Sequence, residues 1–298
     1  MVALSERLTA HLIRDWREDL EPVWRGFFEG VEPDLGNLPD WDVADLFPDR
    51  LELGHLRDAG EPVQRPHMLR AFDGLAPDRV RVVIIGQDPY TQRTRATGRA
   101  FEDGEWDENQ PATVATSLQR LLQSAAALEH PNPEISNEEN DWASVSNAIQ
   151  NQTLAPPTTP GFFNALAAQG VLSVNAAWTF TGRNTEDERH LDVHLKVWKP
   201  VMTHLLRRLT WRDGAPIVFL LLGGDARTLF KRAVGGHFGH DAIGGATRLA
   251  TIYSDHPAYQ GGGPYFARGN PLRRVNQALD RLGSGPIRWW PDLPQAAA

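Results

Sequence analysis

Four short apolar runs constrain this chain more than any other feature: Val80-Arg81-Val82-Val83-Ile84-Ile85, Val171-Leu172-Ser173-Val174, Ile217-Val218-Phe219-Leu220-Leu221-Leu222 and Leu249-Ala250-Thr251-Ile252-Tyr253. All are rich in Val, Ile or Leu and stop at Gly, Asn or Asp. Near-continuous apolar runs of this length fit strands buried on both faces of a parallel sheet. Helical spacing lies around and between them. Residues 113–128 place Leu118, Leu121 and Leu122 on one face, and 190–211 repeat the pattern with Leu195, Trp198, Met202, Leu205, Leu206 and Leu209. Residues 3–29 alternate apolar and charged positions at the same spacing. Asp225–Ala233 forms a shorter helix, and Pro271–Leu282 carries the last. Strand–helix alternation predicts an α/β fold, a three-layer α/β/α sandwich around a central four-stranded parallel sheet. Residues 1–298 are read as one domain with a polar insertion at about 129–160, rich in Asn, Glu, Ser and Pro. Such a stretch inside a compact domain is a functional lid or a solvated loop. The tail from Pro291 is expected to fray.

Composition removes several chemistries. The chain has no cysteine, which excludes disulfides, thiol catalysis, iron–sulfur clusters and cysteine-ligated zinc. The ten histidines show no HExxH or similar ligand spacing, so neither a metal nor another cofactor is expected. No apolar run reaches membrane-spanning length. The start, Met1-Val2-Ala3-Leu4-Ser5-Glu6, lacks the basic and apolar pattern of a secretory signal, and a cytoplasmic protein is expected. The net charge of −8 is not the footprint of a tight nucleic-acid binder. A local basic groove can still sit on an acidic body.

Ligands of open parallel sheets bind outside the carboxyl ends of the strands. The first run is followed by Gly86-Gln87-Asp88-Pro89-Tyr90 and the second by Asn175. The third runs into Gly223-Gly224-Asp225-Ala226 and the fourth into Asp255-His256-Pro257. Alone, each piece also reads as a turn or a strand-end cap. Together they bring a carboxylate, a carboxamide, a glycine turn and an imidazole to one edge, the makings of an active site.

These residues resemble a known family. Arg65-Pro66, Leu69-Arg70-Ala71-Phe72 and Val80 to Tyr90 look like the signature region of family-1 uracil-DNA glycosylases. Gly98 and Phe101 follow at the family's distance, and Ser117-Leu118 resembles its Ser-Leu helix entry. Gly170-Val171-Leu172-Ser173-Val174-Asn175-Ala176 is similar to its uracil-reading strand, and Val218 to Gly223 to the third strand. His256-Pro257 resembles its last catalytic loop, and Pro286-Ile287-Arg288-Trp289 its closing segment. The resemblance spans roughly residues 60–290.

What it implies is a monomeric enzyme that flips a base out of single- or double-stranded DNA and hydrolyses its N-glycosidic bond, leaving an abasic site. By resemblance, Asp88 stabilises the positive charge on the sugar and orients water, while His256, as a neutral donor, stabilises the charge growing on the base. Asn175 reads the imide edge of uracil, since one amide both donates and accepts. Phe101 stacks on the base, Tyr90 stands against its C5 position, and the backbone around Gln87 adds hydrogen bonds. No lysine sits in these motifs, so Schiff-base strand cleavage is not expected.

The loops that would grip DNA match less well. Thr91 stands where the family has His. Arg93 and Arg95, in the loop 92–99, are expected to hold phosphates or to be solvated charges. Ser117 and Gly224 occupy loop positions that touch DNA in the family, with Asp225 where Ser is common. After His256 the chain reads Pro257-Ala258-Tyr259-Gln260, and Gln260 aligns with the family's wedging Leu. Tyr259 either stacks in the emptied space or packs inward. Two alternatives follow: a glycosylase for modified pyrimidines, as in defence against phage DNA, and an inactive DNA-binding relative. A generic α/β hydrolase or nucleotide-binding protein is excluded by the lack of GxSxG and GxxxxGK[ST].

Overall fold

The computed structural model describes residues 2–12, 14–39, 41–43, 45–51, 65–107, 110–130, 142–155, 159–181, 189–235, 243–244, 248–258 and 263–290. In chain order the elements are β1 (Val2–Ala3), α1 (Leu4–Leu12), α2 (Pro22–Phe27), β2 (Asp42–Val43), β3 (Val82–Gly86), α3 (Thr116–Glu129), α4 (Trp142–Gln150), α5 (Thr159–Ala168), β4 (Val171–Asn175), α6 (Arg189–Thr210), β5 (Ile217–Leu222), α7 (Gly224–Val234), β6 (Ile243–Gly244), β7 (Leu249–Ser254), α8 (Gly263–Phe266) and α9 (Pro271–Arg281). The main sheet has the order β4-β3-β5-β7-β6. Its first four strands are the expected parallel set. The short β6 adds an antiparallel edge beside β7 that apolar patterning did not reveal.

Successive side chains on a strand point to opposite faces, and here both faces are dry. Val83, Ile85, Leu172, Val174, Phe219, Leu221 and Tyr253 enter one core with Trp198, Met202 and Leu205 of α6 and Phe230 of α7. Val82, Ile84, Val171, Val218, Leu220, Leu222 and Ile252 enter the other, with Leu118 and Leu122 of α3 and Val275 and Leu279 of α9. This two-sided burial explains why the strands read as unbroken apolar runs rather than as alternation.

Two expectations are corrected. The segment 3–29 is not one helix: α1 ends at Leu12, a 3-10 turn covers Trp16–Asp19, and α2 starts at Pro22. Asp15 caps the turn by accepting from Arg17 N, and proline suits a first helical turn because it has no N–H to leave unpaired. The insertion is not simply a solvated loop either. Within it, α4 buries Trp142, Val145 and Ile149 against the second core, and Trp142 Nε1 donates to the Pro111 carbonyl at 3.1 Å. Residues 131–141 and 156–158 lie outside the described residues, as does the tail from Pro291.

One buried histidine gives the fold a measurable pH dependence. Trp198 Nε1 donates to Thr179 Oγ1 at 2.8 Å, and that hydroxyl lies 2.9 Å from His194 Nδ1. Burial holds the His194 pKa down to about 3 from 6.5, because the charged ring cannot be hydrated there. In the unfolded chain the ring protonates near its ordinary value. The stabilisation is therefore complete above pH 6.5 and is lost as pH falls toward the folded value, at about 1.4 kcal/mol per pH unit. Urea unfolding at a series of pH values is expected to show this slope, and His194→Asn should reduce it by one proton's worth.

Candidate active site

The carboxyl ends of β3, β4 and β7 open into a cavity of about 270 Å³ lined by Gln87, Asp88, Tyr90, Phe101, Asn175 and His256, among others. Register places the first two walls. Gly86 pairs with Asn175 across the β3–β4 ladder. Beyond it, Ala176 N donates to the Gly86 carbonyl and Ala177 N to the Gln87 carbonyl, both at 2.9 Å. The turn carrying Asp88 is thus tied by backbone bonds to the turn after Asn175, which fixes both before any ligand arrives.

Gly86 is required by close approach. A Cβ there would meet Asn175 Oδ1 at 2.4 Å and Ala100 Cβ at 3.0 Å. Only a residue without a side chain lets the Asn175 amide lie along the strand end. Asn175 itself is buried, so its amide is held in one place.

The aromatic wall is built from the loop after β3. Phe101 adopts positive φ (67°) and is buried, and its ring centroid lies 6.1 Å from that of His256. Tyr90 donates its hydroxyl to the Phe101 carbonyl at 3.2 Å and lies 2.8 Å from Ser117 Oγ. Burial pushes the phenol pKa up, so it stays protonated. Held at its tip from two elements, the Tyr90 ring is a fixed wall.

His256 is half-buried, and Gly223 (φ 97°) packs on it: a Cβ at Gly223 would sit 3.3 Å from His256 Cβ. His256 Nδ1 accepts from Ala258 N at 3.2 Å. An accepting Nδ1 leaves the ring neutral with its proton on Nε2. Burial, the larger influence, lowers the His256 pKa, against a smaller rise from Asp225. Geometry and desolvation agree on a neutral N–H donor.

Sequence reasoning missed the part played by Asp225, which stood out only as an acid where the family commonly has Ser. Its Oδ2 accepts from Gln87 Nε2 at 2.7 Å, joining the start of α7 to the Asp88 turn. No local pattern signals a bond between residues so far apart. The Gln87 side chain is thereby engaged with Asp225, and Gln87 remains part of the cavity lining.

The loop residues fall into different places. Ser117 lines the cavity and supports Tyr90. Arg93 pairs with Asp45 and Asp49 and lies over the Phe47 ring. Arg95 pairs with Asp103 and, at 2.9 Å, Glu105. Both arginines thus carry carboxylate partners within the chain. Gly224 is the exposed first residue of α7 and is not part of the cavity wall. Tyr259 and Gln260 lie outside the described residues. Among the described residues no cluster of His, Asp and Glu has the form of a metal site, and no helix is long and apolar enough to cross a membrane.

A sequence model of the Uracil DNA glycosylase superfamily matches residues 73–280. The chain is 27% identical over 287 residues to the uracil-DNA glycosylase of Lacticaseibacillus casei (strain BL23), covering 94% of this chain and 95% of that protein. It is 29% identical over 273 residues to that of Parafrankia sp. (strain EAN1pec), covering 92% and 96%. Among solved structures, mimivirus uracil-DNA glycosylase is similar with a TM-score of 0.48 at 17% identity, covering 74% of this chain and 72% of that one.

Proposed function

The chain belongs to the uracil DNA glycosylase superfamily, and on that premise we propose that it excises uracil from DNA as a family-1-like, monofunctional and monomeric glycosylase, leaving an abasic site. The observation that carries this reading is the neutral His256 donor, Asp88 and the Asn175 amide facing one cavity. N-glycosidic cleavage builds positive charge on the sugar and negative charge on the departing base. The cavity supplies a group for each.

The nucleotide is flipped into the cavity, where Phe101 stacks on the base. Asn175 accepts from the imide N–H of uracil and donates to the adjoining carbonyl. Cytosine presents the reverse pattern and leaves the buried amide unpaired, a mismatch that binding sites reject strongly. Asp88 stabilises the oxocarbenium-like sugar and orients the water that attacks it. His256 donates from Nε2 to the base oxygen as its charge grows. Atoms balance with one water consumed: hydroxyl to the sugar carbon, proton to the base. Tyr90, pinned through its hydroxyl, stands against C5 and excludes a methyl group, which favours uracil over thymine and over C5-modified pyrimidines.

The decisive assay uses oligonucleotides carrying one uracil, thymine or modified cytosine, single- and double-stranded, with alkali to reveal abasic sites. Uracil-only release is expected. Release of a modified base with uracil untouched would replace this reading by a specialised glycosylase, and DNA binding without release by an inactive relative.

Gly86→Ala tests the close approach. The added methyl must displace Asn175, and a displacement of about 1 Å costs on the order of 10²-fold in rate. We expect that loss in kcat/KM with a stability change of about 1–3 kcal/mol, the usual range for overpacking. Kinetics that match wild type would show that Asn175 has room to spare.

A further inference from the structure

A second concavity lies at the opposite end of the sheet. It encloses about 620 Å³ between α6 and the segment after α2, with Val31, Arg207, Arg208, Trp211 and Arg212 in its walls. Arg212 donates to the carbonyls of Pro77 and Val80, just before β3 begins. The pocket is therefore at the amino ends of the strands, whereas the catalytic cavity is at their carboxyl ends.

Helix α6 explains its make-up. One stripe, Val201, Met202, Leu205, Leu206 and Leu209, is buried in the core. The outward stripe runs through Pro200, Thr203, His204, Arg207 and Arg208 to Trp211, one residue beyond the helix. Trp211 is 60% exposed. The Arg207 guanidinium lies 5.8 Å from its ring centroid, and Arg208 lies 5.1 Å from that of Phe27. Among the described residues Arg207, Arg208 and Arg212 form no ion pair, in contrast to Arg14, Arg17, Arg50, Arg70, Arg93 and Arg95. The carboxylate in the wall, Glu32, is taken by Arg17 at 2.5 Å. An exposed tryptophan beside uncompensated arginines is the composition of an interaction hot spot, not of ordinary surface.

We propose that this pocket docks an acidic peptide segment of a partner protein through one aromatic side chain, with the flanking carboxylates on Arg207 and Arg208. Charge complementarity selects the occupant: among the described residues Arg207 and Arg208 have no carboxylate partner, on a body of net charge −8. A peptide fits better than nucleic acid, because the cations are gathered around one concavity instead of spaced along a track. A second copy of this acidic chain would add repulsion. Because the two cavities are at opposite ends of the strands, docking leaves the catalytic cavity open.

The test is fluorescence anisotropy with a labelled decapeptide of Asp and Glu around one Phe, beside versions with Ser for Phe and with Lys for the acids. Micromolar binding of the first peptide is expected, on the order of 10–100 μM. The R207E/R208E protein and the W211S protein are each expected to bind at least about tenfold more weakly, a loss of about 1.4 kcal/mol, with cooperative melting showing that both remain folded. Equal binding of the acidic and basic peptides, or wild-type affinity in R207E/R208E, overturns the proposal. Displacement of the peptide by oligothymidylate from the D88N protein, lost together in R207E/R208E, overturns it in favour of a nucleic-acid site.

Discussion

Replacing Asp88 by Asn lowers kcat for uracil release by about 10²- to 10⁴-fold, the range for loss of a positioned base, and leaves KM nearly unchanged. The substitution keeps the side chain's shape and removes its charge. On the proposed reading, what is lost is stabilisation of the sugar cation and orientation of water, both of which matter only as the bond breaks. A fall in kcat and kcat/KM together, with KM steady, is the signature of an interaction made in the transition state. The backbone bonds from Ala176 and Ala177 hold the turn regardless of the side chain, so the variant should fold and bind DNA as wild type does. Single-turnover rates with a uracil-bearing oligonucleotide would decide it. A variant keeping more than about a tenth of the activity would remove Asp88 from the chemistry, since that is less than the 1.4 kcal/mol of one tenfold step.

His256→Ala is expected to cost about 10²- to 10³-fold in kcat, the usual loss on removing one donor to a developing anion. Its pH profile carries the sharper expectation. Burial lowers the His256 pKa below its ordinary 6.5, so the neutral donor persists as the solution turns acid. Protonation would place a hydrogen on Nδ1 and set it against Ala258 N–H. Activity should therefore hold through pH 6.5 and fall only below it. Asp225 raises the same pKa through its charge, so Asp225→Asn should move the acid limb further down. An acid limb centred above 6.5 would contradict the neutral-donor arrangement.

Much of this was legible in the sequence, for physical reasons that differ by element. Both faces of β3, β4, β5 and β7 are buried, so their composition announces them without help from turns. Each polar strand end alone also reads as a turn or a cap, and Asp88, Asn175 and His256 stood out because the strand ends converge on one edge of the sheet. β6 was not legible, since two residues carry no periodic signal. Helix α4 was hidden by the polar residues before it: averaging over 129–160 masked Trp142, Val145 and Ile149 at helical spacing. The bond between Gln87 and Asp225, the pairing of Arg93 with Asp45 and Asp49, and the tautomer of His256 are tertiary facts. Local sequence offers no trace of them.

The three walls of the candidate cavity come from three strands, each delivered by a separate crossover. Asp88 follows β3, Asn175 ends β4, and His256 arrives only after β7, the last long strand among the described residues. On the proposed reading, the site is complete only once β7 has joined the sheet beside β5. A nascent chain halted after β5 already has Asp88 and Asn175 and still lacks the donor. Activity therefore doubles as an assay for completion of the sheet: a chain in which β7 has not joined lacks the donor and should lose at least as much activity as His256→Ala.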